Sequence, residues 1–285
     1  MFVYTYKEDN ELNYIEAIIL GIFQGVAEFL PISSSGHLSI LQHLFGIKEG
    51  NLFFTEMLHF GTLISIVIVY FKDIKLIIID FIKLIIDIFK GKKIKELTKF
   101  QKLGLLIIVG SVPTAFIGLT FEDFFESLYT SLIPIGFALI FTGFLLWLSE
   151  RKGKKTKDVK EMTFLDSILI GVLQGFAIIP GISRSGSTIV AGLFRGLKKP
   201  LATEFSFLLA LPATFGAFLL GMIKISKEPS QMLINGPLFL GVILSAVVGV
   251  ISIKILIKVL NKNKLHYFSY YLWLVGAITI ISQLI

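Results

Sequence analysis

The apolar residues of this chain gather into long uncharged runs. Five of them, 103–120, 129–148, 205–223, 229–253 and 265–285, carry almost no ionisable side chain, and a sixth, 50–71, is interrupted only by Glu56 and His59. Each approaches the ~20 residues that a helix needs to cross a hydrocarbon layer of roughly 30 Å. The pattern predicts an all-α integral membrane protein with about six transmembrane helices. Two further apolar segments, 14–45 and 163–194, are cut at their centres by Pro31 to Gly36 and by Pro180 to Gly186, where a proline stands with glycine and several serines. Continuous helix is disfavoured there. Irregular backbone at membrane depth survives only where protein or a wet cavity satisfies it, so each segment is expected to be a re-entrant helix, polar turn and helix.

The two broken segments are copies of one another. A shift of 150 positions lays Gln24, Gly25, Ala27, Ile32, Ser33, Ser35 and Gly36 on Gln174, Gly175, Ala177, Ile182, Ser183, Ser185 and Gly186, with Gly21 on Gly171 and Glu16 on Asp166. The first copy precedes an inward span, whereas the second follows an inward span and precedes an outward one. Entering from opposite faces, they would form an inverted repeat whose broken helices meet near the midplane. One membrane domain over 1–285 is expected, with halves at 14–148 and 163–285.

Composition agrees, with 54% hydrophobic and 16% charged residues and a mean hydropathy of +0.82. A soluble domain has roughly 25% charged residues. The net charge of +7 would point to nucleic acid in a soluble protein, but here the bases fall between apolar runs, which is the positive-inside pattern. The segment 72–102 holds nine lysines, and Arg151, Lys152, Lys154, Lys155, Lys157 and Lys160 follow; both clusters are expected on the cytoplasmic side, with Glu122, Asp123 and Glu126 opposite. Lys224 and Lys227 fall on the outer side in this scheme. Within 72–102 isoleucines and leucines alternate with Lys75, Asp80, Lys83 and Asp87, as in a helix lying at the cytoplasmic interface. Met1 to Asn13, with Glu8, Asp9 and Glu11 against Lys7, does not read as a signal peptide. The absence of cysteine excludes disulfides and cysteine-ligated zinc.

The candidate chemistry sits in the two turns. Ionised side chains within the hydrocarbon layer face one another, a cavity or a ligand, and Glu28, His37 and Arg184 lie beside or in these turns. Gln24 and Glu28 share a helical face. Gly181 to Thr188 can direct backbone N–H groups, the hydroxyls of Ser183, Ser185, Ser187 and Thr188, and the Arg184 fork at one spot near a helix amino terminus, an arrangement suited to phosphate. Glycine and serine also serve close helix packing in membranes. The lysine of a nucleotide-binding P-loop is missing. His37 has three readings: nucleophile, acid–base group, or hydrogen-bonded core residue. Glu28 either orients His37, holds a divalent cation with Gln24, or pairs with Arg184 for the fold alone. Glu56 and His59, one turn apart, are weaker candidates. Glu204 reads as an inner-face charge paired with a lysine, His43 and His266 as interfacial, and Tyr267, Tyr270, Tyr271, Trp273 and Trp147 as an aromatic belt.

Gln24, Glu28, Phe29, Leu30, Pro31, Ile32, Ser33, Ser34, Ser35, Gly36 and His37, followed by Pro180, Gly181, Ile182, Ser183, Arg184, Ser185, Gly186, Ser187 and Thr188, resemble the two motifs of the bacterial undecaprenyl-pyrophosphate phosphatase family, also known through bacitracin resistance. The resemblance covers essentially the whole chain. It implies six spans with two re-entrant helix pairs in the bacterial plasma membrane and a site opening to the outer face. It also implies hydrolysis of a long-chain prenyl pyrophosphate to the monophosphate, which recycles the lipid carrier for cell-wall synthesis, supported by Mg2+ or Ca2+. Bilayer lipids and the prenyl pyrophosphate are the partners implied; a homodimer is allowed and nucleic acid is not expected. Catalytic roles transfer to Glu28, Ser34, His37 and Arg184, and phosphate binding to Ser33, Ser35, Ser183, Ser185, Gly186, Ser187 and Thr188. Gln24 stands where many members carry the first of two glutamates, which puts a carboxylate-pair metal site in doubt.

Two other readings compete. Type 2 lipid phosphatases also use Ser-Gly-His and Ser-Arg elements, but the second histidine they need six places after Arg184 is Val190 here, and no Lys-x6-Arg-Pro precedes. An inverted repeat with meeting broken helices equally suits a transporter or lipid-phosphate flippase.

Overall fold

The computed structural model describes residues 13–45, 52–92, 96–149, 156–227 and 234–284. The amino-terminal acidic segment before Asn13, Lys93 and Lys95, and the basic cluster Arg151 to Lys155 lie outside them. Among the described residues the secondary structure is helical, apart from one isolated bridge between Lys157 and Leu197. In chain order the helices are α1 (Tyr14–Ala27), α2 (Ser34–Leu44), α3 (Leu52–Val69), α4 (Phe71–Phe89), α5 (Lys99–Thr120), α6 (Glu122–Ser127), a 3-10 turn at Leu128–Thr130, α7 (Leu132–Ser149), α8 (Phe164–Phe176), α9 (Arg184–Phe194), α10 (Lys199–Ser226), α11 (Gly236–Asn261) and α12 (His266–Ser282).

Among the described residues a helix lies in each of the six expected apolar runs, and α5, α7, α10 and α11 are long and apolar enough to cross a bilayer by themselves. The outer surface of these helices is apolar, with Phe116, Phe137, Phe239, Ile243 and Val247 all more than half exposed. The interior instead buries Gln24, Glu28, His37, Thr142, Ser149, Asp166 and Ser245. Apolar outside and polar within is the distribution that lipid imposes, because every buried polar group must find its partner inside the protein. The protein is therefore an all-α integral membrane protein with several apolar membrane-spanning helices.

The two segments related by the shift of 150 fold alike. α1 opens on a capping box between Asn13 and Glu16, and α8 on one between Thr163 and Asp166. Each helix ends before its proline; at a rise of about 1.5 Å per residue, α1 spans ~21 Å and α8 ~20 Å, short of a full crossing. The second helix of each pair begins at an N-cap serine, Ser33 accepting from Gly36 N–H and Ser183 from Gly186 N–H. Both prolines and both serine-glycine runs thus mark the helix breaks expected of them. At the head of α8 the fully buried Asp166 is held by Arg195 at 2.6 Å and Lys157 at 3.0 Å, which ties the strand-like segment at Lys157 to the carboxyl-terminal end of α9.

Helix contacts cross between the two halves. A Cβ on Gly21 of α1 would lie 2.6 Å from the Gly241 carbonyl oxygen of α11, and one on Gly171 of α8 would fall onto the Gly110 carbonyl oxygen of α5. α7 and α12 meet in the same way at Gly136 and Gly276. Between helices in lipid, where no hydrophobic force separates protein from solvent, such small-residue contacts carry the packing. α4 rests Ile77 and Phe81 against Gly104 of α5 and turns Ile78, Ile82 and Phe89 outward. Lys224 at the end of α10 pairs with Glu122 at 2.6 Å and Glu126 at 2.7 Å, so the acidic helix α6 and this lysine share one face.

Gly171→Ala is expected to lower the midpoint of thermal unfolding in detergent by an amount equivalent to about 1–3 kcal/mol, since backbone rather than a movable side chain meets the added methyl. Gly216→Ala, in α10 with open space around its Cα, is the matched control and should be neutral or slightly stabilising.

Candidate active site

The two polar turns, 28–33 and 177–183, touch. Gly181 N–H donates to the Ser35 hydroxyl at 3.4 Å, Ser185 Oγ donates to the Leu30 carbonyl at 3.4 Å, and a Cβ on Gly36 would lie 3.0 Å from the Gly181 Cα. Gly181 adopts φ +93, and a Cβ there would lie 2.5 Å from the Ile135 carbonyl oxygen of α7. Ser33 is held at φ 71, a left-handed conformation that a non-glycine residue keeps only when its surroundings impose it. The effect is to bring the amino-terminal ends of α2 and α9, with their partial positive charge, to the same place.

Glu28, just past α1, sits between them with its side chain 7% exposed. Its Oε1 is bonded by Arg184, the first residue of α9. Its Oε2 accepts from Ser34, the first residue of α2, at 2.6 Å and from Gln24 Nε2 at 3.1 Å. One carboxylate therefore joins both turns. Arg184 Nη1 is buried and has no hydrogen-bond partner, as is Ser187 Oγ. An unsatisfied buried guanidinium nitrogen beside a paired one is a donor aimed at something absent from the chain itself.

The remaining serines divide by task. Ser33 and Ser183 cap helices; Ser35 and Ser185 tie the turns to each other; Thr188 bonds the Arg184 carbonyl at 2.9 Å and Ser206 Oγ at 2.5 Å. Gly186 abuts Pro31 and gives its N–H to Ser183. These residues shape the chamber, whereas Ser34 is half-buried and open to it.

His37 occupies a different station. Its Nδ1 faces the Ser33 carbonyl at 2.9 Å and its Nε2 faces Tyr271 Oη at 2.8 Å. A carbonyl oxygen only accepts, so Nδ1 carries the proton and Nε2 receives the phenol O–H. The ring is stacked between Phe23 and Tyr271. The imidazole nearest Glu28 is instead His59 of α3, whose Nε2 is 3.9 Å from Glu28 Oε2. Tyr271, from the carboxyl-terminal helix, and Tyr129, hydrogen-bonded to Ser35, belong to the same chamber. Composition placed Tyr271 in an aromatic belt, and nothing local in the sequence links it to a histidine 234 positions away.

Among the described residues no group of three or more acidic or histidine side chains is arranged as a metal cage. Gln24 Oε1, however, is buried with no hydrogen-bond partner on the amide that bonds Glu28. One carboxylate with one free amide oxygen fits a hard cation of the Mg2+ type, which keeps few protein ligands and takes the others from phosphate and water.

Known proteins are similar to this chain over nearly its whole length. The family model described as bacitracin resistance protein BacA matches residues 17–278. Relatives named undecaprenyl-diphosphatase include one from Alkaliphilus metalliredigens, 48% identical, and one from Halothermothrix orenii, 43% identical; each alignment covers 95% of this chain and 98% of the relative. A third, from Carboxydothermus hydrogenoformans, is 41% identical over the same shares. Since these matches cover nearly the whole chain, it belongs to the bacitracin resistance protein BacA family.

Proposed function

We propose that this protein hydrolyses undecaprenyl diphosphate to undecaprenyl phosphate and inorganic phosphate, regenerating the lipid carrier of cell-wall synthesis. Its relatives carry that activity in their name, and the observation in the site that supports it is the unpartnered Arg184 Nη1 beside a carboxylate-bound serine at two converging helix amino termini. α3 and α12 complete a set of six spans with α5, α7, α10 and α11. The pairs α1–α2 and α8–α9 are re-entrant, and 14–148 and 163–285 form the inverted repeat; matching caps, turns and crossed glycine contacts support this reading. The chamber opens to the outer face, on the side of α6 and Lys224, with the basic loops cytoplasmic.

In this reading the polyprenyl tail stays in lipid and the diphosphate enters between the turns. Arg184 keeps one guanidinium nitrogen on Glu28 and offers Nη1 to the terminal phosphate, where charge grows on the equatorial oxygens as the bridging bond breaks. The positive ends of α2 and α9 and the Ser187 hydroxyl add to that field. Ser34 is the nucleophile, because its hydroxyl already donates to Glu28 Oε2, the pairing of nucleophile and base that such catalysis requires. His37, with both ring nitrogens engaged, orients the first turn of α2 through Ser33. A divalent cation held by Gln24 Oε1 and Glu28 would neutralise phosphate charge.

Arg184→Ala should cut phosphate release from a long-chain prenyl diphosphate by at least about 10³-fold, and Arg184→Lys should not restore it, because a point charge cannot bond Glu28 and phosphate in one plane. Near-normal hydrolysis by folded, purified Arg184→Ala would remove the central assignment. Ser34→Ala should be comparably inactive, while Ser39→Ala, whose hydroxyl bonds only the Ser35 carbonyl, should retain turnover. Chelation with EDTA is expected to suppress activity and Mg2+ to recover it; full activity after exhaustive chelation would exclude the cation.

A further inference from the structure

The segment between α5 and α7, made of α6 and the 3-10 turn at Leu128–Thr130, carries a hydroxyl that so far has no task in the reaction. Three contacts hold the segment down. Phe125 is buried, Lys224 of α10 pairs with Glu122 and Glu126, and Thr130 Oγ1 donates to the Ser127 carbonyl at 2.7 Å, which closes the turn. Tyr129 hangs from this turn. The residue is 39% exposed, yet its hydroxyl is bonded to Ser35 in the first turn of α2 and comes within electrostatic range of Glu28. The phenol therefore stands between the outside of the protein and the Ser34–Glu28 pair.

The hydrogen bonds around Ser35 decide which way this hydroxyl donates. Ser33 Oγ accepts Gly36 N–H at 3.2 Å and so has its own proton to give to Ser35 Oγ, 3.4 Å away; Ser35 Oγ also accepts Gly181 N–H at 3.4 Å. With both acceptor sites of Ser35 filled from behind, its proton goes to the Tyr129 oxygen. The phenol proton is then left to donate forward. Two backbone N–H groups, one from each broken helix pair, thus feed a chain of hydroxyls that ends on Tyr129, and each bond in such a chain strengthens the next.

A diphosphate needs donors at two places. Arg184 Nη1 and Ser187 Oγ, both buried and without partners, lie deep and suit the terminal phosphate. The second phosphate, one bridging oxygen away and joined to the lipid, lies nearer the mouth. Charge appears on it as the bridge breaks, and none of the donors assigned above meets it. The acids near the phenol do not bar an anion, because Glu28 is paired with Arg184 and Glu126 with Lys224, and Glu56 lies in the field of the same lysine.

We propose that Tyr129 is a substrate-binding residue whose hydroxyl holds the lipid-linked phosphate of the diphosphate. Its O–H donates to an oxygen of that phosphate, and the bond strengthens as the bridging P–O bond breaks and its electron pair stays on the departing prenyl monophosphate. The phenol keeps its proton throughout. A contact that grows with developing charge lowers the barrier as well as tightening the complex. This role rests on the diphosphatase reading and on the outward-opening chamber, and requires neither Ser34 as the nucleophile nor a cation.

The test compares wild type, Tyr129→Phe, Ser35→Ala and the double variant Tyr129→Phe/Ser35→Ala as purified full-length proteins in detergent with Mg2+. Phosphate release from a long-chain prenyl diphosphate gives kcat and KM, and inhibition by prenyl monophosphate and by orthophosphate is measured on each. Tyr129→Phe removes one hydroxyl and keeps the ring. It should lower kcat about tenfold and raise the inhibition constant of prenyl monophosphate about tenfold, while that of orthophosphate stays within about twofold of wild type. A merely structural loss would weaken both inhibitors together, because orthophosphate reports the deep site. Added to Ser35→Ala, Tyr129→Phe should weaken prenyl monophosphate further; no further loss would make the phenol a brace for Ser35 and overturn the contact. Unchanged kcat and monophosphate inhibition in Tyr129→Phe, or equal losses toward both inhibitors, overturns it too. A wild type that releases no phosphate sinks the diphosphatase reading itself, whereas an active wild type beside an indifferent Tyr129→Phe removes the role of the phenol alone.

Discussion

A single buried carboxylate holds two broken helix pairs together. Glu28 is bonded by the first residue of α2 and by the first residue of α9, and around it the two turns exchange hydrogen bonds through Ser35 and Ser185. A turn that interrupts a helix frees backbone groups which lipid cannot satisfy. Here each interruption satisfies the other, and the charges that the arrangement requires cancel locally between Glu28 and Arg184. Removing either partner would leave the other buried and uncompensated, which for such pairs costs several kcal/mol.

The surrounding helices make that contact geometrically available. Gly21 against Gly241 and Gly171 against Gly110 set the depth of α1 and α8 beside α11 and α5. A bulkier residue would push either re-entrant helix outward and carry its turn away from the other. α7 passes beneath both turns, its Ile135 carbonyl next to Gly181 and its Thr142 hydroxyl bonded to Ser183 N–H at 3.1 Å. The serine-rich motifs consequently serve two ends. Most of their hydroxyls are used in caps and cross-links, Ser34 is bonded to Glu28, and Ser187 Oγ and the free arm of Arg184 have no partner within the described residues.

The two histidines differ in their surroundings. His37 lies within the motif, yet it is locked between Ser33, Phe23 and Tyr271 with neither ring nitrogen free. His59, outside any motif, turns an unused nitrogen toward Glu28.

Much of this was legible in the chain because lipid is a simple solvent. Uncharged runs of spanning length fixed the helices, proline with glycine and serine fixed the breaks, and the repeat at 150 positions fixed that the breaks come as a pair. The motifs around Glu28, Ser34 and Arg184 pointed to residues that meet in the structure, since ionised groups at such depth must face one another or a ligand. What the chain alone left open was pairing across distance. Whether Glu28 would orient His37, bind metal or meet Arg184, and that Tyr271 rather than an acid would partner His37, depended on how α1, α3, α9 and α12 pack. Those contacts join residues up to 234 positions apart, and hydropathy, which reads only each residue's preference for lipid, carries no record of them.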